Sequence, residues 1–138
     1  MSLTETQKAE LIAHRFARAA EAIVDANVLI ENHSFRAAVN RIYYGMFYAL
    51  LALSIEYQFN SSKHGQIIGW FNKTFVHSGK LPQKYFQMIY NAFNSRTKGD
   101  YDMEKDFDEN EVQAMFEEMK AFCAGIKQFI ETGQAEPE

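Results

Sequence analysis

Cysteine is almost missing from this chain of 138 residues: Cys123 stands alone, so no internal disulfide can staple the fold. Lying on the apolar face of a predicted helix, it reads as a buried, inert thiol rather than a nucleophile. There are only two prolines, Pro82 and Pro137. No segment alternates with period two for long enough to make a convincing strand. There is no phosphate-binding glycine loop, no CxxC and no GxSxG, so the usual serine and cysteine machineries have no support. No glutamate precedes a histidine at ExxH spacing, Glu10 to His14 being one residue longer, which argues against a ferritin-like di-iron bundle. No metal and no cofactor is expected. The N-terminal MSLTETQKAE has no apolar h-region, so a cytoplasmic protein is expected.

What is present is a greasy helical chain, 47% hydrophobic and 14% aromatic. At this length one domain over residues 1–138 is expected, able to bury roughly 68–70% of its unfolded surface. The organising stretch is Ser34 to Tyr57. Val39, Ile42, Met46, Ala49 and Leu53 recur at steps of three and four, and Tyr44, Phe47, Tyr48 and Leu51 cover a second face. A helix apolar nearly all round must be surrounded by protein or lipid. Its charge-free run, Ile42 to Ile55, is shorter than the about 20 residues a bilayer needs, so neighbouring helices are expected and a membrane is not.

The flanking elements follow from caps and stripes. A first helix over about Glu5 to Glu31 starts at a Thr4–Gln7 capping box and carries Ile12, Phe16, Ala19, Ile23, Ala26 and Ile30 on one side. Ser34 caps the central helix after a short link, which makes the two antiparallel neighbours. A third helix covers about Lys63 to His77 behind a serine cap. The fourth opens at Leu81-Pro82, with the proline at its first position, and ends at Gly99. Residues 100–108 read as an acidic loop. The fifth helix is capped by Asp108, with Glu111 three residues on, and stops at Gly133; residues 131–138 are expected to fray. The expected fold is all-α: an up-and-down four-helix-type bundle with one additional shorter helix.

Charge is segregated. Residues 36–99 hold eight basic side chains and one acidic, whereas residues 100–138 hold three basic and twelve acidic. The basic middle suits an anion such as RNA or a nucleotide phosphate. The plainer alternative is that the acidic fifth helix folds back and neutralises it.

Four places break the apolar pattern. Arg96 falls on the stripe of Ile89 and Phe93 near the end of the fourth helix. It either binds the last-turn carbonyls or holds a phosphate in a cleft with its planar fork. Asp100-Tyr101-Asp102 follow it. Arg41, one turn before Tyr44 in the central helix, needs a partner if buried; a carboxylate from residues 100–108 is the candidate, which makes Arg41 and Tyr44 structural residues. His64 opens the third helix beside Lys63, and a capping or hydrogen-bonded role is its plain reading.

Three linked segments carry a resemblance: FRAAVNRIYYGMFYALLAL, then SSKHGQIIGWFNKTFVHSGKLP, then YNAFNSRTKGDYD. Together they are similar to the HEPN family (higher eukaryotes and prokaryotes nucleotide-binding), most of all its stand-alone prokaryotic branch. The resemblance implies a homodimeric helical bundle with a fourth-helix arginine facing the cleft between subunits. Active members are metal-independent ribonucleases in which that arginine is followed, four to six residues on, by a histidine. There the arginine stabilises charge on the phosphorane-like transition state and the histidine moves protons.

This chain keeps only the arginine. After Arg96 come Thr97, Lys98, Gly99 and Asp100, and then Tyr101 where a histidine is due. A tyrosine, with its reference pKa near 10, is a poor general base at neutral pH. The expectation is therefore an RNA- or nucleotide-binding module whose cleft is lined by Arg96, Lys98, Tyr101, His64 and Lys63, with weak or absent nuclease activity. The resemblance further implies a toxin-like role beside a minimal nucleotidyltransferase, for which the Tyr101 hydroxyl is a chemically sensible acceptor. Two other expectations stay open: a non-catalytic module that docks the nucleotidyltransferase, and a metal-independent endoribonuclease in which Asp100 or Tyr101 works with Arg96.

Overall fold

The computed structural model describes residues 3–61, 63–102 and 106–135. Five helices follow in order: α1 (Glu5–Glu31), α2 (Phe35–Glu56), α3 (His64–Phe71), α4 (Lys84–Tyr101) and α5 (Glu109–Thr132). No strand occurs among the described residues, and the all-α bundle expected from the sequence is what forms.

α1 begins as its capping box dictates. The Thr4 hydroxyl accepts from the Gln7 amide at 3.0 Å, and the Gln7 side chain accepts from the Thr4 amide at 2.9 Å. The chain then reverses at His33, whose φ of 57° is left-handed. Ser34 occupies the cap position of α2, but its side chain makes no capping bond; its backbone amide instead donates to the Leu29 carbonyl at 2.8 Å.

α2 runs through the middle, touching α1, α3, α4 and α5. By length and composition it could cross a bilayer, contrary to the expectation drawn from its charge-free run, yet 67% of its most apolar stretch is buried inside the protein. Toward α5 the approach is close because Gly45 has no side chain: a methyl group there would overlap the Met119 terminus. Gly125 does the same for α4, leaving room for the Tyr85 ring. Phe122 sits between them, edge-on to Phe71 with ring centroids 5.9 Å apart and 5.8 Å from Tyr85. Each such large side chain contributes roughly 1.5–3 kcal/mol by leaving water. Cys123 is buried here, as expected, with Sγ 3.4 Å from the Gly45 carbonyl, and burial pushes its thiol up to about 12.

Several boundaries differ from the sequence expectation. α3 is α-helical only to Phe71 and continues as a π-helical turn, Asn72–Val76, closed by the His77 amide donating to the Asn72 carbonyl at 2.7 Å. The wider turn lets Phe71, Phe75 and Val76 all reach the core. The cap of α3 is Lys63, whose amide is taken by the Ser61 hydroxyl at 3.2 Å.

Pro82 does not open α4. Leu81 is pinned by its amide to the Phe75 carbonyl at 2.9 Å with its side chain in the core, so the chain turns at Pro82-Gln83 and the helix starts at Lys84. Nor does Gly99 end it. Gly99 is helical and buried against the Phe107 ring, and the helix runs on through Asp100 to Tyr101. The expected 100–108 loop is thus shorter, and residues 103–105 lie outside the described residues.

α5 starts and stops as read. Asp108 accepts from the Glu111 amide at 3.3 Å, and Gly133 is left-handed at φ 74°. The helix holds through Thr132, so the fraying expected from residue 131 is not seen there, and residues 136–138 lie outside the described ones.

Candidate functional site

The acidic helix does not neutralise the basic middle. Lys63, Lys73, Lys80, Lys84 and Lys98 are exposed and make no ion pair among the described residues. α5 turns its apolar stripe inward, which leaves Glu109, Glu111, Glu117 and Glu131 facing solvent.

Arg96 lies among aromatic rings on the α4 face that packs on α2. Its guanidinium carbon is 5.6 Å from the centroid of Tyr43 and 5.4 Å from that of Tyr44, a cation–π arrangement. Nη2 donates to the Tyr44 hydroxyl at 3.2 Å. Nε is 2.9 Å from a carboxylate oxygen of Asp100, one turn on. That contact is an ion pair rather than an aligned hydrogen bond, because the buried Nε–H does not point at the oxygen. Nη1 finds no protein acceptor among the described residues. The Arg96 side chain is 24% exposed, so the open edge of its fork meets solvent.

His64 reaches the same rings from α3. Its Nδ1 is 2.7 Å from the Tyr43 hydroxyl. Its ring stacks on Phe47 with centroids 3.9 Å apart and stands edge-on to Tyr44 at 5.8 Å. Burial, and then the nearby Arg96 charge, hold the His64 pKa below its ordinary value. Burial lifts the Tyr43 phenol well above its ordinary value, with Arg96 pulling the other way, so Tyr43 stays a neutral hydroxyl.

The structure therefore brings together Arg96, Asp100, His64 and Tyr44. It leaves Lys98 and Tyr101 out: two and five residues beyond Arg96, they lie about 160° and 140° round the helix, and Tyr101 is 84% exposed. Lys63 is exposed beside His64.

Arg41 does not take a carboxylate from residues 106–108 or from Asp100 or Asp102. Its Nε and Nη2 donate to the Asn40 side chain at 3.2 and 3.0 Å, and its guanidinium lies 5.2 Å from the Tyr44 centroid. The arginine that ties the end of α4 to α2 is Arg36, which donates to the Gly99 carbonyl and, at 3.2 Å, to the Asp102 carbonyl. It stands in the first turn of α2, closer to the α4 C-terminus than Arg41 one turn and a half further on.

Sequence reasoning missed Tyr43 and Phe47 as site residues. The available signal was the Tyr43-Tyr44 pair itself: a tyrosine inside an apolar helix must satisfy its hydroxyl, and one that deep needs a polar side chain from another element.

Comparison with known proteins agrees with this architecture. The HEPN domain family matches over residues 12–129. A UPF0332 protein of Thermotoga maritima is 33% identical over 91% of this chain and 95% of its own length. The protein named "Putative toxin MJ0605", from Methanocaldococcus jannaschii, is 33% identical over 81% of this chain and 83% of its own length. A second protein of that organism, "Putative toxin MJ0142", is 30% identical over 80% and 76%. The match takes in most of α1, all of α2 to α4 and nearly all of α5, with Arg96 inside it: the chain belongs to the HEPN domain family.

Proposed function

We propose that this protein is an RNA- or nucleotide-binding HEPN module with a toxin-like role, working beside a minimal nucleotidyltransferase. The carrying observation is the Arg96 fork, backed by two tyrosine rings and open at Nη1. A guanidinium so held keeps its planar donors aimed outward without loss of side-chain freedom on binding, which suits a phosphate. The unpaired lysines flanking α3 and on α4 extend the positive field around it. The toxin-like role rests on the two similar proteins named as toxins.

A homodimer fits the same face. Arg41, Tyr44, Tyr48, Leu51 and Ile55 follow one another along α2 at steps of three and four and are each partly exposed. A second copy laid on that stripe would bring two Arg96 side chains toward one groove.

The α4 sequence alone favours binding over cleavage, because neither Tyr101 nor Lys98 turns toward the Arg96 fork. The test is RNA binding and growth inhibition by the Arg96→Ala protein. Loss of both is expected; retention of both would overturn this reading. A second reading, a docking module for the nucleotidyltransferase, is favoured by the exposed Tyr101 at the end of α4. Co-expression with the neighbouring gene product should then give a complex that Tyr101→Ala weakens, and independent elution of the two proteins counts against it.

A further inference from the structure

Arg15 is a cation without a counter-charge. It stands one turn before the buried Ala19 and two before Ala22, which meets α2 at Gly45, so it lies on the side of α1 that packs against α2. The two helices run antiparallel, with Lys8 3.2 Å from Glu56 and the Arg18 guanidinium 5.8 Å from the centroid of the Tyr48 ring. Arg15 falls between those two contacts. Its side chain is partly buried, and its Nε is shielded from solvent with no acceptor. Among the described residues it makes no ion pair. An orphaned buried donor costs stability, so packing alone does not explain it.

The same side of α2 carries further positive charge. Arg96 and Arg41 lie 5.4 and 5.2 Å from the Tyr44 centroid, and Arg18 covers Tyr48. The Tyr44 and Tyr48 rings are 6.3 Å apart. Among the described residues, only Asp100, beside Arg96, and Glu21, 3.7 Å from Arg18, give these arginines a carboxylate. The second is a half-exposed surface pair of little strength.

We propose that Arg15 and Arg18 of α1 hold a second phosphate, and that the ligand of this face is a single-stranded RNA segment running along α2 from Arg96, across Tyr44 and Tyr48, to α1. The inference rests on the RNA- or nucleotide-binding reading and narrows it. A mononucleotide with its phosphate on Arg96 leaves the α1 arginines unfilled. Cations and rings in a row match a strand whose phosphates recur along its length and whose bases stack on aromatic faces. A duplex keeps those faces stacked on one another. The competing occupant of Arg15 is a carboxylate from a second copy of the chain. The charge favours RNA: four guanidinium groups against two local carboxylates call for a polyanion rather than one acidic side chain. In the homodimer proposed above, Arg15 and Arg18 stand on the α1 rim of the α2 stripe, so the strand enters the shared groove from its edge.

The experiment titrates purified full-length protein with a labelled single-stranded hexauridylate and with uridine monophosphate at several salt concentrations, beside thermal melts and sedimentation. The wild-type protein should bind the hexamer at least about tenfold more tightly than the monophosphate. Arg15→Met combined with Arg18→Gln should weaken hexamer binding about ten- to a hundredfold. It should also reduce the slope of log K against log salt by about 0.7, the loss of one single-strand phosphate. Arg18→Gln alone, at a half-exposed position, serves if the double variant does not fold. Tyr48→Leu should weaken hexamer binding about tenfold through lost stacking. Arg15→Met alone should melt no lower than the wild type, because it keeps the packed stem and removes the orphaned donor; a merely structural arginine would lower the melt. Equal affinity for the two probes, or a wild-type slope in the double variant, overturns the proposal and leaves the binding reading standing. A double variant that falls from dimer to monomer with its slope unchanged also overturns it, and gives the α1 arginines to the protein interface. Failure of the wild-type protein to bind either probe overturns the binding reading instead.

Discussion

α2 shows two unlike sides. Toward α5 its contacts are mainly apolar, and the missing side chain of Gly45 lets Met119 approach to contact distance. Toward α3 and α4 it offers rings whose polar ends are all spoken for: Tyr43 to His64, Tyr44 to Arg96. Both sides are aromatic and well packed, so aromatic content alone does not separate scaffold from site. What separates them is the presence of cations and a partly buried imidazole that apolar packing would not require. The first side is built to be dry and the second to hold charge at the edge of water.

The largest expected effect belongs to the dry side. Phe122→Ala, which empties the space between Phe71 and Tyr85, should cost about 3–5 kcal/mol in denaturant unfolding. It should leave RNA affinity unchanged at temperatures where the fold survives. A comparable loss of stability from Arg96→Ala would erase the contrast between the two sides.

Arg96→Ala is next. Its contacts with two tyrosine rings are worth about 1 kcal/mol of stability, but a lost charged hydrogen bond to phosphate, roughly 1.5–3 kcal/mol, should weaken RNA binding about ten- to a hundredfold. Gel-shift titration beside a thermal melt reads both numbers on one sample.

Asp100→Asn should act in the opposite direction. The carboxylate competes with phosphate for the same guanidinium, and a partly exposed pair of this kind is worth at most about 1 kcal/mol, so RNA affinity should rise up to about fivefold. Weaker binding by the asparagine protein would mean that Asp100 orients Arg96 rather than competing for it.

The smallest effect is a pH dependence of stability. The folded His64 pKa is lowered, so below its unfolded value near 6.5 the unfolded chain binds the proton more readily. The contribution of His64 is fully present above that value and is lost as pH falls through it toward the folded pKa. Melting temperatures of the wild-type protein should therefore drop faster between pH 7 and 5 than those of His64→Gln; parallel curves would place the histidine in open solvent.

Much of the fold was legible because helix boundaries here are local chemistry. Thr4–Gln7, Asp108 and the left-handed Gly133 act within one turn of themselves, and a period of 3.6 needs no distant partner to be seen. The failures were at α3 and α4, where the boundary depends on contacts far away. Leu81 is held by Phe75 before Pro82 can begin a helix, and Gly99 stays helical because Phe107 covers it and Arg36 takes its carbonyl. Among the described residues, the partners of Arg41 are local for a related reason. Sequence distance offered it an acidic loop, whereas Asn40 and Tyr44 were beside it and Arg36 had already taken the end of α4.

By itself the sequence determined the five helices, the central place of α2 and the oddness of an arginine on an apolar stripe, because each of these follows from spacing along one helix. Only the tertiary structure decided what stands around that arginine. His64, Tyr43 and Arg96 come from three helices, and their meeting depends on how those helices pack, which no periodicity encodes. The same packing sent Lys98 and Tyr101, the nearest chemical neighbours of Arg96 in the chain, to other faces of α4, since a helix turns about 100° with every residue.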